Sequence, residues 1–313
     1  MYTNGYTNTT GEVMTETLKT LTGLGNTALG YPPQWVENLR MKIGGDAPFA
    51  TDLILTTDHV LNLISCVGLY RAEKKRENEP ISHQEGLQAK LTHTLLKRWF
   101  TALKSGNEIW PFQYVALALN NYESMPPDLV NWLSTQEREA RIETVGEIAA
   151  VIHRVADSFG YPEIRRDVDV VSRFTAKVDD VTLVSDDVDL VIGKGETVDG
   201  VFWPGSILVS FVPSRPTGDD LDRLAYSALI YALNHGGPPA RVVVFGLLSG
   251  LGTGMEVERD WVELPVGGLL TALPVLIKEL NNETQVLTPG DHCVRCPELA
   301  DCPFAQMRPS EWF

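Results

Sequence analysis

Apolar residues recur along this chain at two periods, and the period changes near the midpoint. From Leu53 the spacing is helical. Thr57-Asp58 offers a cap for a helix in which Val60, Leu63, Ile64 and Val67 share a face, with Cys66 near its end. A charged stretch from Arg71 to Glu79 follows, and residues 80–86 read as a loop. Leu87, Leu91, Leu95 and Trp99 then form the stripe of a longer helix, with His93, Leu96 and Phe100 on its flank. Recurring Ile, Val and Ala among mixed charges predict another helix over Gln136–Ser158, after the Pro126-Pro127 break. Residues 1–35 are rich in Thr, Asn and Gly. Val13, Met14, Leu18 and Leu21 give them one amphipathic stretch, which suits a partner-binding arm or a loosely ordered terminus.

After Tyr161 the period becomes that of strands. Asp167–Thr175 alternates, and Val181–Val184 and Val188–Ile192 are apolar runs of strand length. Lys194-Gly195-Glu196 reads as a turn. Val198–Trp203 and Ile207–Val212, with Pro204-Gly205 between them, predict a hairpin. Asp219–Asn234 is an almost wholly apolar helix, so a buried one. Arg241–Leu248 and Val257–Leu264 read as strands, and Gly267–Leu280 as a helix. The glycine-rich stretch from Gly246 to Gly254 lacks the lysine of a phosphate loop and reads as a flexible turn. The order predicts an α/β fold with a mixed central sheet. It has four segments: an N-terminal arm (1–50), a helical region (51–160), an α/β core (161–290) and a cysteine-bearing C-terminus (291–313).

Charge narrows the possible partners. The 313 residues carry a net charge of −15, from 41 acids against 26 bases, which opposes nonspecific binding to a polyanion. Between Asp167 and Asp199 there are nine acids and only Arg173, Lys177 and Lys194 as bases. One stretch points the other way. Arg71, Lys74, Lys75 and Arg76, with Lys90, Lys97 and Arg98 on the next helix, could form a face that contacts DNA or RNA phosphates. Glu73, Glu77 and Glu79 dilute it, and a plain solvated helix pair is the alternative. No apolar run spans a bilayer, no leader segment opens the chain, and four cysteines are not a secreted disulfide framework. These features predict a cytoplasmic protein without a membrane partner. No serine–histidine–acid or cysteine–histidine hydrolase pattern stands out.

Cys66 is solitary. The other three cysteines lie in His292-Cys-Val-Arg-Cys-Pro-Glu-Leu-Ala-Asp-Cys-Pro303, the pattern C-x2-C-x5-C-P. Soft thiolates match iron and the sulfides of a cluster, so Cys66, Cys293, Cys296 and Cys302 are candidate ligands of a 4Fe–4S cluster. A structural zinc site also takes four cysteines, but usually as two local C-x2-C pairs, and stays the alternative.

These residues resemble the iron–sulfur branch of the RecB-like PD-(D/E)xK nucleases. That branch includes the CRISPR-associated RecB-like exonucleases and the nuclease domain of AddB-type helicase–nucleases. Cys66, Cys293, Cys296, Cys302 and Pro303 match its cysteine pattern. Leu55–Cys66 resembles its opening helix, and Gly86 through His93-Thr-Leu-Leu its glycine-then-histidine helix. The resemblance covers residues 53–304 and implies a restriction-endonuclease-like core with a C-terminal iron–sulfur motif.

The resemblance also implies a carboxylate on one strand and D/E-x-K on the next, holding divalent metals that orient water. Here Ser210 stands at the acid position and Val212 at the lysine position. No Asp, Glu or Lys occurs from Trp203 to Gly218. Asp189 or Asp199 could be the upstream carboxylate, and spacing does not choose between them. His93 is kept in type, although a core or surface histidine is the simpler reading. Asp222 replaces the glutamine of the family's Q-x-x-x-Y element, which ends at Tyr226. The expectation is a catalytically inactive protein, without catalytic magnesium or manganese. It would be a structural or nucleic-acid-binding subunit of a larger DNA-processing, defence or phage assembly. The alternatives are an active exonuclease with a rearranged site, its lysine migrated to Lys177 or Lys194, and a redox-responsive iron–sulfur regulator.

Overall fold

The computed structural model describes residues 30–45, 52–76, 84–107, 109–158, 168–283, 287–290, 292–293, 296–298 and 302. Its helices are α1 (Pro33–Gly44), α2 (Thr57–Ser65), α3 (Val67–Arg76), α4 (Gln84–Lys104), α5 (Pro111–Asn120), α6 (Pro127–Thr135), α7 (Arg138–Ser158), α8 (Gly218–His235) and α9 (Arg259–Leu280). Its strands are β1 (Leu53–Thr56), β2 (Val168–Val170), β3 (Phe174–Val178), β4 (Val181–Ser185), β5 (Leu190–Ile192), β6 (Glu196–Val198), β7 (Val201–Trp203), β8 (Ile207–Val212), β9 (Arg241–Gly246) and β10 (Gly252–Glu256). The α/β class with mixed sheets follows directly.

A five-stranded sheet in the order β10-β9-β8-β5-β2 forms the centre. Only β8 and β9 pair in parallel, joined by a crossover through α8. Both strands are apolar on both faces. Leu208, Val242 and Val244 pack with α1, α2, α8 and α9, whereas Ile207, Val209, Phe211, Val243 and Phe245 pack with α4 to α7. The sheet therefore divides two cores, which is why these strands read as continuous hydrophobic runs. A smaller sheet, β1-β4-β3, sits on the first side, with β1 parallel to β4.

Local chemistry sets the element ends. Thr56 caps α2 by accepting the His59 N–H at 3.1 Å, and Asp58 favours the positive end of that helix. The cap lies one residue earlier than the sequence suggested. Thr217 and Asp220 cap α8 reciprocally, and Gly236 ends it in the left-handed conformation (φ 90°) that glycine tolerates best.

Three expected elements differ. First, β8 forms no hairpin with the preceding strand. The hairpin is β6–β7, turning at Asp199 (φ 50°) and Gly200 (φ 78°), as suits the positive-φ residues of a tight turn. Pro204-Gly205 is instead a crossing point: a Cβ on Gly205 would stand 2.2 Å from the Lys194 carbonyl. Second, Val257–Leu264 is no strand. The strand is β10, which begins inside the supposed flexible turn and runs on to Glu256, and α9 starts at Arg259 and runs through Pro265 and both glycines to Leu280. Third, residues 33–44, taken as part of an arm, form α1, whose Trp35, Val36, Leu39 and Ile43 are buried in the core.

Among the described residues, α9 alone is long and apolar enough to cross a membrane by length and composition. One face of it, Val262, Val266, Leu269, Ala272, Leu273 and Leu276, is buried against α8, α2 and α1. Glu263 fastens it to α1, accepting from Trp35 Nε1 at 3.1 Å, Lys42 Nζ at 2.9 Å and Arg259 Nε at 3.0 Å. Burial opposes the Glu263 charge, but these donors outweigh it and hold the carboxyl down at about 2. A carboxylate with a depressed pKa stabilises the fold above its ordinary range, and that stability is lost as pH falls through the folded value. In a urea titration, Glu263→Gln should lower stability by roughly 1 kcal/mol at neutral pH and shrink the loss between pH 4.5 and about 2. An acid limb unchanged by the substitution would disprove this account.

Candidate functional site

Asp189 is held by backbone on both sides before its side chain does anything. Its N–H donates to the Val209 carbonyl and its own carbonyl accepts from Val171 N–H, each at 2.8 Å. The carboxylate is thus delivered, buried, between β8 and α4. His93 and Lys97 lie one turn apart on α4 and both reach Oδ1, at 2.6 Å and 3.2 Å. The Phe211 N–H donates to Oδ2 at 2.7 Å. Three donors satisfy a charge that could not otherwise be buried cheaply. Because the carboxylate accepts, Nε2 of His93 is assigned as its donor.

This group borders a cleft of about 520 Å³, walled by α4, residues 186–189, the end of β8 and the start of α8. Ser210 and Val212 line it too. Four carboxylates border it, and each is engaged. Asp186 makes a bidentate pair with Arg173 at 2.7 Å and 2.9 Å. Asp187 accepts from Thr57 Oγ1 at 2.6 Å, Ser185 Oγ at 3.0 Å and Arg223 at 3.2 Å. Asp220 is occupied in the cap of α8, and Asp189 by Lys97 and His93. Burial opposes the Arg223 charge, yet Asp58 and Asp187 together raise its pKa.

The structure separates the candidate residues. His93, Asp189 and Ser210 share the cleft. Asp199 does not; it sits exposed at the β6–β7 turn. Asp222 is exposed and outside the lining. Neither lysine considered for a migrated role reaches the cleft: Lys177 pairs with Asp52 at 3.3 Å, and Lys194 is exposed. The lysine that reaches the carboxylate is Lys97, grouped by sequence with the basic face. Its position four residues after His93 was the available signal.

The remaining basic residues are largely committed. Arg71 makes a bidentate pair with Glu279, Lys75 pairs with Glu298, and Lys90 pairs with Asp128 at 2.6 Å. Lys74 lies over the Tyr70 ring, 5.5 Å from its centroid, and Arg98 donates to the Ser124 carbonyl at 3.2 Å. Arg76 ends α3.

Arg71 and Lys75 thereby tie α3 to the end of α9 and to the cysteine-bearing C-terminus. Cys66 occupies the one-residue break between α2 and α3. Gly68 leaves room beside it, since a Cβ there would stand 3.1 Å from Leu287 and 3.5 Å from the Cys66 sulfur. Cys293 is buried, and its sulfur accepts the Gly290 N–H at 3.4 Å. Burial pushes the Cys296 thiol up, and Cys302, Cys293 and Cys66 are all near enough to push it the same way. All four thiols are free of disulfides. Among the described residues, no three His, Cys, Asp or Glu side chains are grouped to hold a single metal ion. No family model matches this chain, and no curated protein matches it.

Removing one partner of a buried ion pair strands the other. Asp189→Ala should therefore lower the unfolding free energy by about 3–5 kcal/mol, while Asp199→Asn at the exposed turn should change it by less than about 0.5 kcal/mol. Urea denaturation of the two variants measures both, and equal costs would refute the assignment.

Proposed function

We propose that this chain is a catalytically inactive RecB-like iron–sulfur protein, a restriction-endonuclease-like fold acting as a structural or nucleic-acid-binding subunit of a larger DNA-processing, defence or phage assembly. The observation that carries this reading is Asp189. Its carboxylate is already neutralised by the tethered ammonium of Lys97 and bonded by His93. A divalent metal would have to displace both. The neighbouring strand offers Ser210 and Val212, a weak ligand and none, so a displaced metal position has no second carboxylate from β8. The other acids of the cleft are held by their own partners. The order of elements supports the fold: an early helix ending at a cysteine, a histidine helix, a carboxylate before a central strand, then a parallel crossover.

Cys66, Cys293, Cys296 and Cys302 would hold a 4Fe–4S cluster, which when bound supplies strong covalent cross-links between distant segments. The chain's own part is to bring the α2–α3 break and the C-terminus together, through the Arg71–Glu279 and Lys75–Glu298 pairs. Commitment of those cations to acids, with the net charge of −15, favours a protein partner over a phosphate backbone. A cytoplasmic location belongs to this same reading.

Protein purified without oxygen should be brown, with about four irons per chain. Cys66→Ser should cost as much iron and folded protein as Cys293→Ser; full iron in Cys66→Ser, or a single zinc, defeats the cluster. Incubation with single- or double-stranded DNA and magnesium or manganese should leave the DNA intact. Cleavage that vanishes in Asp189→Ala would establish an active nuclease instead.

A further inference from the structure

The outer face of α9 carries one acid and one base, near its two ends, with Leu264, Gly267, Thr271 and Pro274 exposed between them. Asp260, Leu264, Gly267, Thr271, Pro274 and Lys278 fall in one line, each within about 40° of the others' mean direction at 100° per residue. Leu264 is 62% exposed, and Leu270 beside the line 48%. Ile64 of α2, 43% exposed, meets α9 at Gly268 and widens the face. The opposite side of α9 is fully used by the core, and Glu263 locks the helix to α1. α9 therefore cannot turn this face inward. Exposed leucines on a helix already locked to its own core mark a surface open to a partner.

We infer that the cover is a second copy of this chain, with the two α9 helices packed antiparallel across a two-fold axis. The line is complementary to itself only in that orientation. With Asp260 of one copy opposite Lys278 of the other, Leu264 falls opposite Pro274 and Gly267 opposite Thr271. The symmetry repeats each contact, as an isologous interface requires. Each acid–base pair then closes one end of a seam about 27 Å long. Small residues at its middle let the backbones approach to the 8–10 Å typical of packed helices. Antiparallel macrodipoles add to the same preference. A parallel partner would set acid against acid and base against base.

Gly267 gives a clean test, because a Cβ added there meets nothing within 4 Å in the monomer. Sedimentation velocity of the full chain, with its metal content kept, should give the mass of two chains in the micromolar range. Gly267→Arg should give the mass of one, with a melting temperature no lower than that of the wild type, since arginine favours helix over glycine. Lys278→Glu should weaken association by about tenfold. Reversing both charges, Asp260→Lys with Lys278→Asp, should restore it. A wild-type chain that stays monomeric overturns the proposal, as does a reversed pair that fails to recover. A photocrosslinker at position 267 that captures residues 1–29 of its own chain would assign the face to the N-terminal segment, and would equally overturn it.

Discussion

Everything in this fold hangs on two parallel strands that are greasy on both sides. β8 and β9 present alternate residues to two separate cores, and neither core closes without them. A parallel pair cannot be formed by a short turn, so the chain must leave the sheet and return through α8. That detour explains why α8 is buried along most of its length, from Leu224 to Leu233. It also fixes the cleft. The end of β8 and the start of α8 are consecutive in sequence, and α4 closes over them from the other core. The cleft is the place where the two cores meet at the open end of the sheet.

That placement gives Asp189 its character. A carboxylate between two apolar cores must be matched by donors or lose its charge. Here the donors come from three sources: a histidine and a lysine one turn apart on α4, and a backbone N–H of β8. Oδ1 accepts from His93 and Lys97 and Oδ2 from the Phe211 N–H, so the histidine and lysine of the cleft also support the fold.

Sequence reasoning reached the elements whose signal is local and repeated. The α4 stripe of Leu87, Leu91, Leu95 and Trp99 is buried as its period requires. The largely apolar α8 and β9 were legible because no exposed element tolerates such runs. The failures have particular causes. A strand was expected up to Leu264 and a helix only from Gly267, yet α9 runs from Arg259 through Pro265 because its buried face supplies enough packing to offset the lost hydrogen bond. Pro204-Gly205 imitates a turn, whereas the turn that forms uses Asp199-Gly200, two residues able to take positive φ. In the site, His93 and Asp189 were named and the pairing of one with the other was not, because a contact across 96 residues is decided by the sheet. Lys97 was grouped with neighbouring cations by sequence, although helical spacing placed it with His93.

The clasp at the C-terminus has a consequence in time. Arg71 waits for Glu279, and Lys75 for Glu298, partners 208 and 223 residues further on. At ribosomal speeds of roughly 5–20 residues per second, that wait lasts on the order of tens of seconds. Throughout it Cys66 is the chain's only cysteine, made long before Cys293, Cys296 and Cys302. Contacts so distant in sequence also close last and slowly.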